Sequence, residues 1–141
     1  NTWFDIALNN MVRGLSMFDA QQRLIVCNKS YREMYALPEE LTRPGTPLSE
    51  IVRYHVKRET GRDGAEEVAR QAKWLADHVA KLAEGHPFSH LQDLTDGRKF
   101  LVTYQPLADG GWVGGLLELK LEIGGTLGTI VRNEQGCHGR Q

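Results

Sequence analysis

The 141-residue chain is 40% hydrophobic and 25% charged, which is typical of one soluble globular domain with a single core. Its formal net charge of −1 excludes a strongly basic surface for nucleic acid or for an anionic membrane. No apolar run approaches the roughly 20 residues that span a bilayer, so we expect a cytoplasmic domain, and we expect a piece of a longer polypeptide because the chain does not begin with Met.

The first segment predicts an amphipathic helix over residues 1–14. Four apolar residues recur at helical spacing and form one stripe, which comprises Phe4, Leu8, Met11 and Leu15. The stripe can pack on its own domain or on a second copy of the chain, and periodicity alone does not distinguish the two. We use it as the predicted contact of a homodimer.

Two short strands and a helix follow. The segment "GLSMF" ends at Asp19, and "RLIVC" begins after a polar gap of hairpin length. Asn28 then stands where a helix N-cap is expected, ahead of "KSYREMYAL", and Pro38 predicts the end of that helix. Asp19 and Asn28 are therefore interpreted as structural residues, the first bonding turn amides and the second capping a helix.

Two longer helices are predicted next. Thr46 is a candidate cap for the first, which Gly61 ends, and Asp63 is a candidate cap for the second, which Gly85 ends. The apolar residues of the second helix predict a buried stripe consisting of Val68, Ala72, Leu75, Val79 and Leu82.

The periodicity then changes to that of strands. The runs "FSHLQDL", "RKFLVTYQPL" and "GWVGGLLELKLEI" are separated by the turns Thr95-Asp96-Gly97 and Ala108-Asp109-Gly110. Asp-Gly is a strong hairpin signal, because Gly readily takes the positive φ that the tight turn needs. The order of elements predicts an α+β fold in which helices lie beside one antiparallel sheet.

Several blocks in this order resemble a PAS domain: "ALNNMVRGLSMFD", "RLIVCNKSYREMYALP", "RPGTPL", "DGRKF" and "DGGWV". The resemblance runs from about Phe4 to Val113, and it is closest to a bacterial subgroup often found upstream of diguanylate cyclase or histidine kinase output domains. It implies a five-stranded sheet in the order 2-1-5-4-3 with a helical cluster on one face. It also implies a structural motif formed by Asp19, Asn28 and Tyr31.

The resemblance divides the chain into the N-terminal helix (1–14), the sensor domain (15–123) and a Gly-rich tail (124–141). Two features differ from the family pattern. The first hairpin reads "AQQR" where the family often has Gly, and the tail has no Asp-[Ile/Val]-Thr element leading into a signalling helix.

Candidate cofactor residues are few. Some PAS domains bind haem through a helix His, which makes His55 or His78 the alternative haem ligands. His86 and His90 lack helical metal-ligand spacing, and Cys27 is not part of the flavin-reactive motif of light-sensing relatives, so no metal and no cofactor are predicted. Cys27 is expected to be a small buried residue.

A ligand cavity is expected between the sheet and the helices. On "RKFLVTYQPL" the alternating residues Phe100, Val102 and Tyr104 share one face, whereas Leu101, Thr103 and Gln105 share the other. We predict that the more aromatic face points inward, beside Trp112, and that His55 reaches the same cavity.

Three functions remain open at this point. The first is a sensory module without catalysis, which binds a small ligand or a partner, dimerises, and regulates a fused output domain. The second is a haem or other cofactor sensor, and the third is a small stand-alone enzyme, for which the sequence offers no acid–base set.

Overall fold

The computed structural model describes residues 13–119, which form one sheet and a group of helices on one of its faces. In chain order the elements are strands β1 (Gly14–Phe18) and β2 (Leu24–Cys27), helix α1 (Lys29–Met34), a 3-10 turn (Glu39–Leu41), helices α2 (Leu48–Thr60) and α3 (Ala65–Ala83), and strands β3 (Phe88–Asp93), β4 (Lys99–Pro106) and β5 (Trp112–Leu119).

The five strands form one sheet in the order β2-β1-β5-β4-β3, and all neighbours are antiparallel. This confirms the predicted fold and strand order. Gly97 and Gly110 take φ values of 95° and 94° at the tips of the β3–β4 and β4–β5 hairpins, as the two Asp-Gly pairs predicted.

The core lies on the sheet face that the helices cover. Phe100 and Phe18 are fully buried there, and the Phe18 ring stacks on Trp112 with 4.5 Å between centroids. Val102 and Tyr104 are buried on the same face, whereas Leu101 and Thr103 are only half-buried and Gln105 is exposed. The prediction that the Phe100 face points inward is therefore correct.

The first hairpin shows how the chain does without the usual glycine. Gln22 takes a φ of 63°, in the left-handed region that disfavours side chains. Its side-chain oxygen accepts a hydrogen bond of 2.7 Å from the Trp112 indole Nε1. The strained residue thus links the turn to β5, which a glycine at this position would not do.

Two of the predicted helix caps are wrong. The Thr46 hydroxyl donates to the Arg43 carbonyl rather than capping α2, whose N-cap residue is Pro47. The Asp63 carboxylate pairs with Lys57, and Gly64 stands at the N-cap of α3 without a side-chain bond. Gly61 ends α2 in the left-handed conformation, as predicted.

The stripe predicted to be the buried face of α3 is correct only in part, since Leu82 is buried and Leu75 is partly buried against the core. Val68 and Val79 remain 49% and 43% exposed, and the helix instead buries a face consisting of Glu67, Gln71, His78 and Leu82. The buried face shares Leu82 with the predicted stripe and is otherwise displaced by one residue, from Val68 and Val79 to Glu67 and His78. We call the face formed by Glu67, Gln71, Trp74, His78 and Leu82 the α3 inner face.

The predicted N-terminal helix and the Gly-rich tail lie largely outside the described residues, which include none of Phe4, Leu8, Met11 or 124–141. One part of that prediction is wrong, because Leu15 belongs to β1, where it pairs with Gly115 of β5. Between residues 13 and 119, no helix is long and apolar enough to cross a membrane.

Candidate functional site

A cavity of about 310 Å³ lies between the inner face of the sheet and the helices. Residues of α1, α2 and α3 line one side, and residues of β1, β3, β4 and β5 line the other. Its lining is largely apolar and aromatic, with a few polar groups, which is the composition of small-molecule sites in proteins.

Aromatic rings form much of the cavity wall. Tyr104 and Trp112 project from β4 and β5 with 5.5 Å between their ring centroids, and Tyr35 and Trp74 line the cavity from the helical side. These rings offer flat apolar surfaces, and the faces of their π systems carry partial negative charge.

A chain of three polar side chains crosses from the end of α1 to α2. The Tyr35 hydroxyl donates to Gln92 Oε1 at 2.7 Å, which leaves the Gln92 amide nitrogen 3.1 Å from His55 Nε2. The imidazole Nε2 therefore accepts, and the ring proton is on Nδ1. Burial lowers the pKa of His55, which agrees with a neutral ring.

The α3 inner face places a second polar group at the cavity. Glu67 is buried, and its two carboxylate oxygens lie 3.2 Å from the Arg70 guanidinium and 3.5 Å from the Gln71 amide nitrogen. All three residues line the cavity. The first turn of a helix favours a carboxylate, because the unpaired backbone N–H groups there carry partial positive charge.

Four of the five predicted pocket residues line this cavity: His55, Val102, Tyr104 and Trp112. Phe100 does not. It is fully buried behind the wall, where it packs edge-on against Tyr35 and beneath the Arg98 guanidinium. Strand alternation along β4 correctly predicted the sheet face on which Phe100 lies. Because Phe100 is close to the β3–β4 turn, however, it packs in the core and not at the cavity.

His78, the second haem candidate, is buried outside the cavity lining. It stacks on Trp74 at 4.9 Å and meets Phe88, Tyr104 and Trp112 edge-on. Its Nε2 has no hydrogen-bond partner. Burial first and His90 second lower the pKa of His78 to about 4, so the ring is neutral at physiological pH.

The structural motif has the expected local geometry. Asp19 Oδ1 accepts from the Gln21 and Arg23 amides at 2.9 Å each, which closes the β1–β2 turn. Asn28 Oδ1 caps α1 by accepting from the Tyr31 amide at 3.0 Å. Tyr31 is buried and also lines the cavity, a position that the motif did not predict.

Asn28 does more than cap a helix. Its Oδ1 also accepts from the Leu15 amide, and its Nδ2 donates to the Arg13 carbonyl, both at 2.9 Å. The side chain thereby joins the start of β1 to the start of α1. This second role was not predicted, because nothing in the local pattern says which strand lies beside the cap.

Sequence reasoning missed several polar residues of the cavity lining, namely Ser16, Tyr35, Glu67, Arg70, Gln71, His90 and Gln92. One signal was available for two of them, since Glu67 and Gln71 share a helical face with Trp74 and His78. An apolar-stripe criterion rejects that face because it is polar. Among residues 13–119, no three His, Cys, Asp or Glu residues converge in a way that would hold a metal ion.

Comparison with known proteins identifies the family to which this architecture is similar. A family model described as the PAS fold matches residues 8–116. Among curated proteins, the non-motile and phage-resistance protein of Caulobacter vibrioides is 26% identical over 97 residues. The match covers 63% of this chain but only 12% of that protein.

Three solved structures show the same fold. The PAS domain of Bordetella pertussis BvgS has a TM-score of 0.61 at 16% identity and covers 96% of each chain. A domain of a Geobacter sulfurreducens sensory box sensor histidine kinase/response regulator has a TM-score of 0.53 at 13% identity, over 82% of this chain and 90% of that one. The phage VqmA–DPO complex has a TM-score of 0.54 at 16% identity, over 98% of this chain and 59% of that one.

Proposed function

Because the chain belongs to the PAS fold family, we propose that it is the sensory module of a larger signalling protein, in which it binds a small ligand, dimerises and regulates a fused output domain. The observation that carries this proposal is the cavity of about 310 Å³ between the sheet and the helices. The domain is similar in fold to a domain of a sensor histidine kinase, which supports an output domain of that class.

The walls of the cavity support ligand binding. Polar groups from three helices and from the sheet converge on a space with mostly apolar walls, and buried polar groups are costly unless something bonds them. Stability alone would favour filling this space with apolar side chains. A binding function explains why α3 directs Glu67 and Gln71 toward it.

Two observations weigh against haem as the ligand. His55 Nε2 already accepts from Gln92, and His78 lies outside the cavity lining. Neither imidazole therefore offers a free nitrogen at the cavity surface. The proposal is for an organic ligand, and it assigns the domain no catalysis of its own.

The outer face of the sheet supports dimerisation. Leu91, Leu101 and Leu117 lie side by side in register on β3, β4 and β5, on the face opposite the described helices. Leu91 is exposed there. Together with the predicted helical stripe of residues 1–14, this row offers an apolar surface to a second copy of the chain.

Native mass spectrometry with an absorption scan tests the ligand proposal. The purified chain should be colourless and carry extra mass, and Val102→Trp should remove that mass because the larger ring fills the cavity. Gln105→Trp is the matched control, since it adds the same ring to the opposite, exposed face of the same strand and lies outside the row of Leu91, Leu101 and Leu117. Circular dichroism should show that both variants fold.

A parent protein without extra mass, or a folded Val102→Trp variant that keeps it, contradicts ligand binding in this cavity. A Soret band that disappears in His55→Ala would instead establish haem.

Light scattering tests the proposed dimerisation. The parent should be a dimer that Leu91→Glu or the pair Phe4→Asp/Leu8→Asp dissociates. A parent that is monomeric at high concentration contradicts the proposed dimer.

A further inference from the structure

The charge distribution in the cavity identifies the class of ligand. Glu67 is the one carboxylate among the lining residues of the described chain, and only 10% of its side chain is exposed. A charged group buried to this degree is costly unless close donors compensate for the lost water.

The protein compensates for only part of that cost. The Arg70 contact is 3.2 Å long and comes from a side chain that is 53% exposed, so water screens it. The Gln71 contact, at 3.5 Å, is at the outer limit of hydrogen bonding. A carboxylate has about four acceptor positions, so these two contacts leave Glu67, which lines the cavity, with unused acceptor capacity.

The other walls suit a cation as well. The rings of Trp74, Tyr104 and Trp112 attract positive charge through the negative faces of their π systems. Tyr104 is buried and lines the cavity, so its hydroxyl oxygen can accept a hydrogen bond from a ligand. Burial lowers the pKa of both His55 and His90, so neither ring adds positive charge.

Arg70 is the group that would favour an anion instead. Its guanidinium already contacts both Glu66 and Glu67, and more than half of the side chain is in solvent. An anion would therefore face a paired and hydrated cation on one side and the buried Glu67 carboxylate on the other. The geometry favours a cation.

We propose that the cavity binds a small organic amine, whose protonated nitrogen lies against Glu67 and whose flat apolar part lies against Tyr104 and Trp112. This inference rests on the proposed ligand-binding function and specifies the ligand class. Glu67 is then the specificity-determining residue, because it is the group that distinguishes an amine from a neutral molecule of the same shape.

Three probes that share an indole ring test this assignment with the full chain by titration calorimetry. Tryptamine carries an ammonium group, tryptophol a neutral hydroxyl, and indole-3-acetate a carboxylate. We expect tryptamine to bind at least about 10-fold more tightly than tryptophol, which is the effect of one well-placed charge contact. Indole-3-acetate should bind most weakly.

Glu67→Gln should abolish the preference for tryptamine while leaving the affinity for tryptophol within about 2-fold of the parent. Glu66→Gln is the matched control, because it removes the same charge from the same helical turn at a side chain that is 93% exposed. It should preserve the preference. Tryptophol binding also reports whether each variant is folded.

The outcomes separate this inference from the proposed function. Equal binding of all three probes overturns the amine class but leaves ligand binding in place. Tightest binding of indole-3-acetate overturns it in favour of an anion at Arg70. A preference for tryptamine that is retained in Glu67→Gln shows that Glu67 is not the group that distinguishes the charged probe from the neutral one. A parent protein that binds none of the three probes contradicts the inference.

Discussion

The start of β1 and α1, joined by Asn28, and the α3 inner face are two buried polar regions with opposite properties. At the first, Asn28 is almost completely buried and bonds Arg13, Leu15 and Tyr31 at 2.9 to 3.0 Å. At the second, Glu67 and Gln71 share a contact of 3.5 Å, and His78 Nε2 has no partner.

This difference in hydrogen bonding distinguishes buried polar groups that stabilise the fold from buried polar groups that are suited to binding a ligand. A buried polar group with short bonds to backbone atoms holds elements together and adds specificity to the fold. A buried polar group with long or missing bonds costs stability, and its retention requires another reason. The Asn28 region therefore stabilises the fold, whereas the part of the α3 inner face that lines the cavity, with Glu67 and Gln71, is suited to binding a ligand at the expense of stability.

Among the buried polar residues, the largest expected effect lies at Asn28. Asn28→Ala removes the α1 cap together with the side-chain bonds to the Leu15 amide and the Arg13 carbonyl, so we expect a loss of about 3 kcal/mol in the free energy of unfolding. Denaturant melts measure it. Thr46→Ala removes a buried hydroxyl with one local bond and should cost about 1 kcal/mol or less. Equal losses of unfolding free energy in the two variants would show that the hydrogen bonds of Asn28 stabilise the fold no more than the single local bond of Thr46 does.

The next largest effect is the pH dependence caused by His78. Its pKa is about 4 in the folded chain and 6.5 in the reference state, so the unfolded chain binds the proton more readily between these values. The free energy of unfolding should therefore fall by about 2 kcal/mol from this residue as the pH drops from roughly 7 to 5. His78→Phe should remove that part of the slope.

His55 and His90 contribute slope in the same direction, since burial lowers the pKa of both. His86→Gln, at an exposed position, is the control and should leave the curve unchanged. Melts across this pH range measure both variants. A His78→Phe curve that parallels the parent would mean that His78 is protonated as readily in the folded chain as in the unfolded one.

The smallest effect tests the orientation of α3. Val79→Ser should change the free energy of unfolding by less than about 0.5 kcal/mol, because Val79 is largely exposed. Leu82→Ala, three residues further along the same helix, should cost about 2 to 5 kcal/mol because Leu82 is buried. If Val79→Ser costs as much as Leu82→Ala, the stripe predicted from the sequence faces the core after all.

Patterns within a few residues predicted the elements of this chain well. Asp-Gly marked both hairpins of the β3–β4–β5 meander, and Asn28 marked the start of α1. These signals succeed because a positive φ or an unpaired helix amide is a local requirement, which a residue within the turn itself satisfies. The capping predictions at Thr46 and Asp63 failed, because another acceptor or cation was closer in the folded chain.

The sequence by itself determined the order of the strands and helices, the inward face of β4 and most of the sheet side of the cavity, since strand alternation and turn chemistry depend on neighbouring residues. Only the tertiary structure decided the rotation of α3, the second role of Asn28 and the polar set formed by Tyr35, Gln92 and His55. Each of these depends on which distant element lies opposite. For α3, the cavity lies opposite Glu67 and Gln71, so polar side chains are directed inward at that part of the helix.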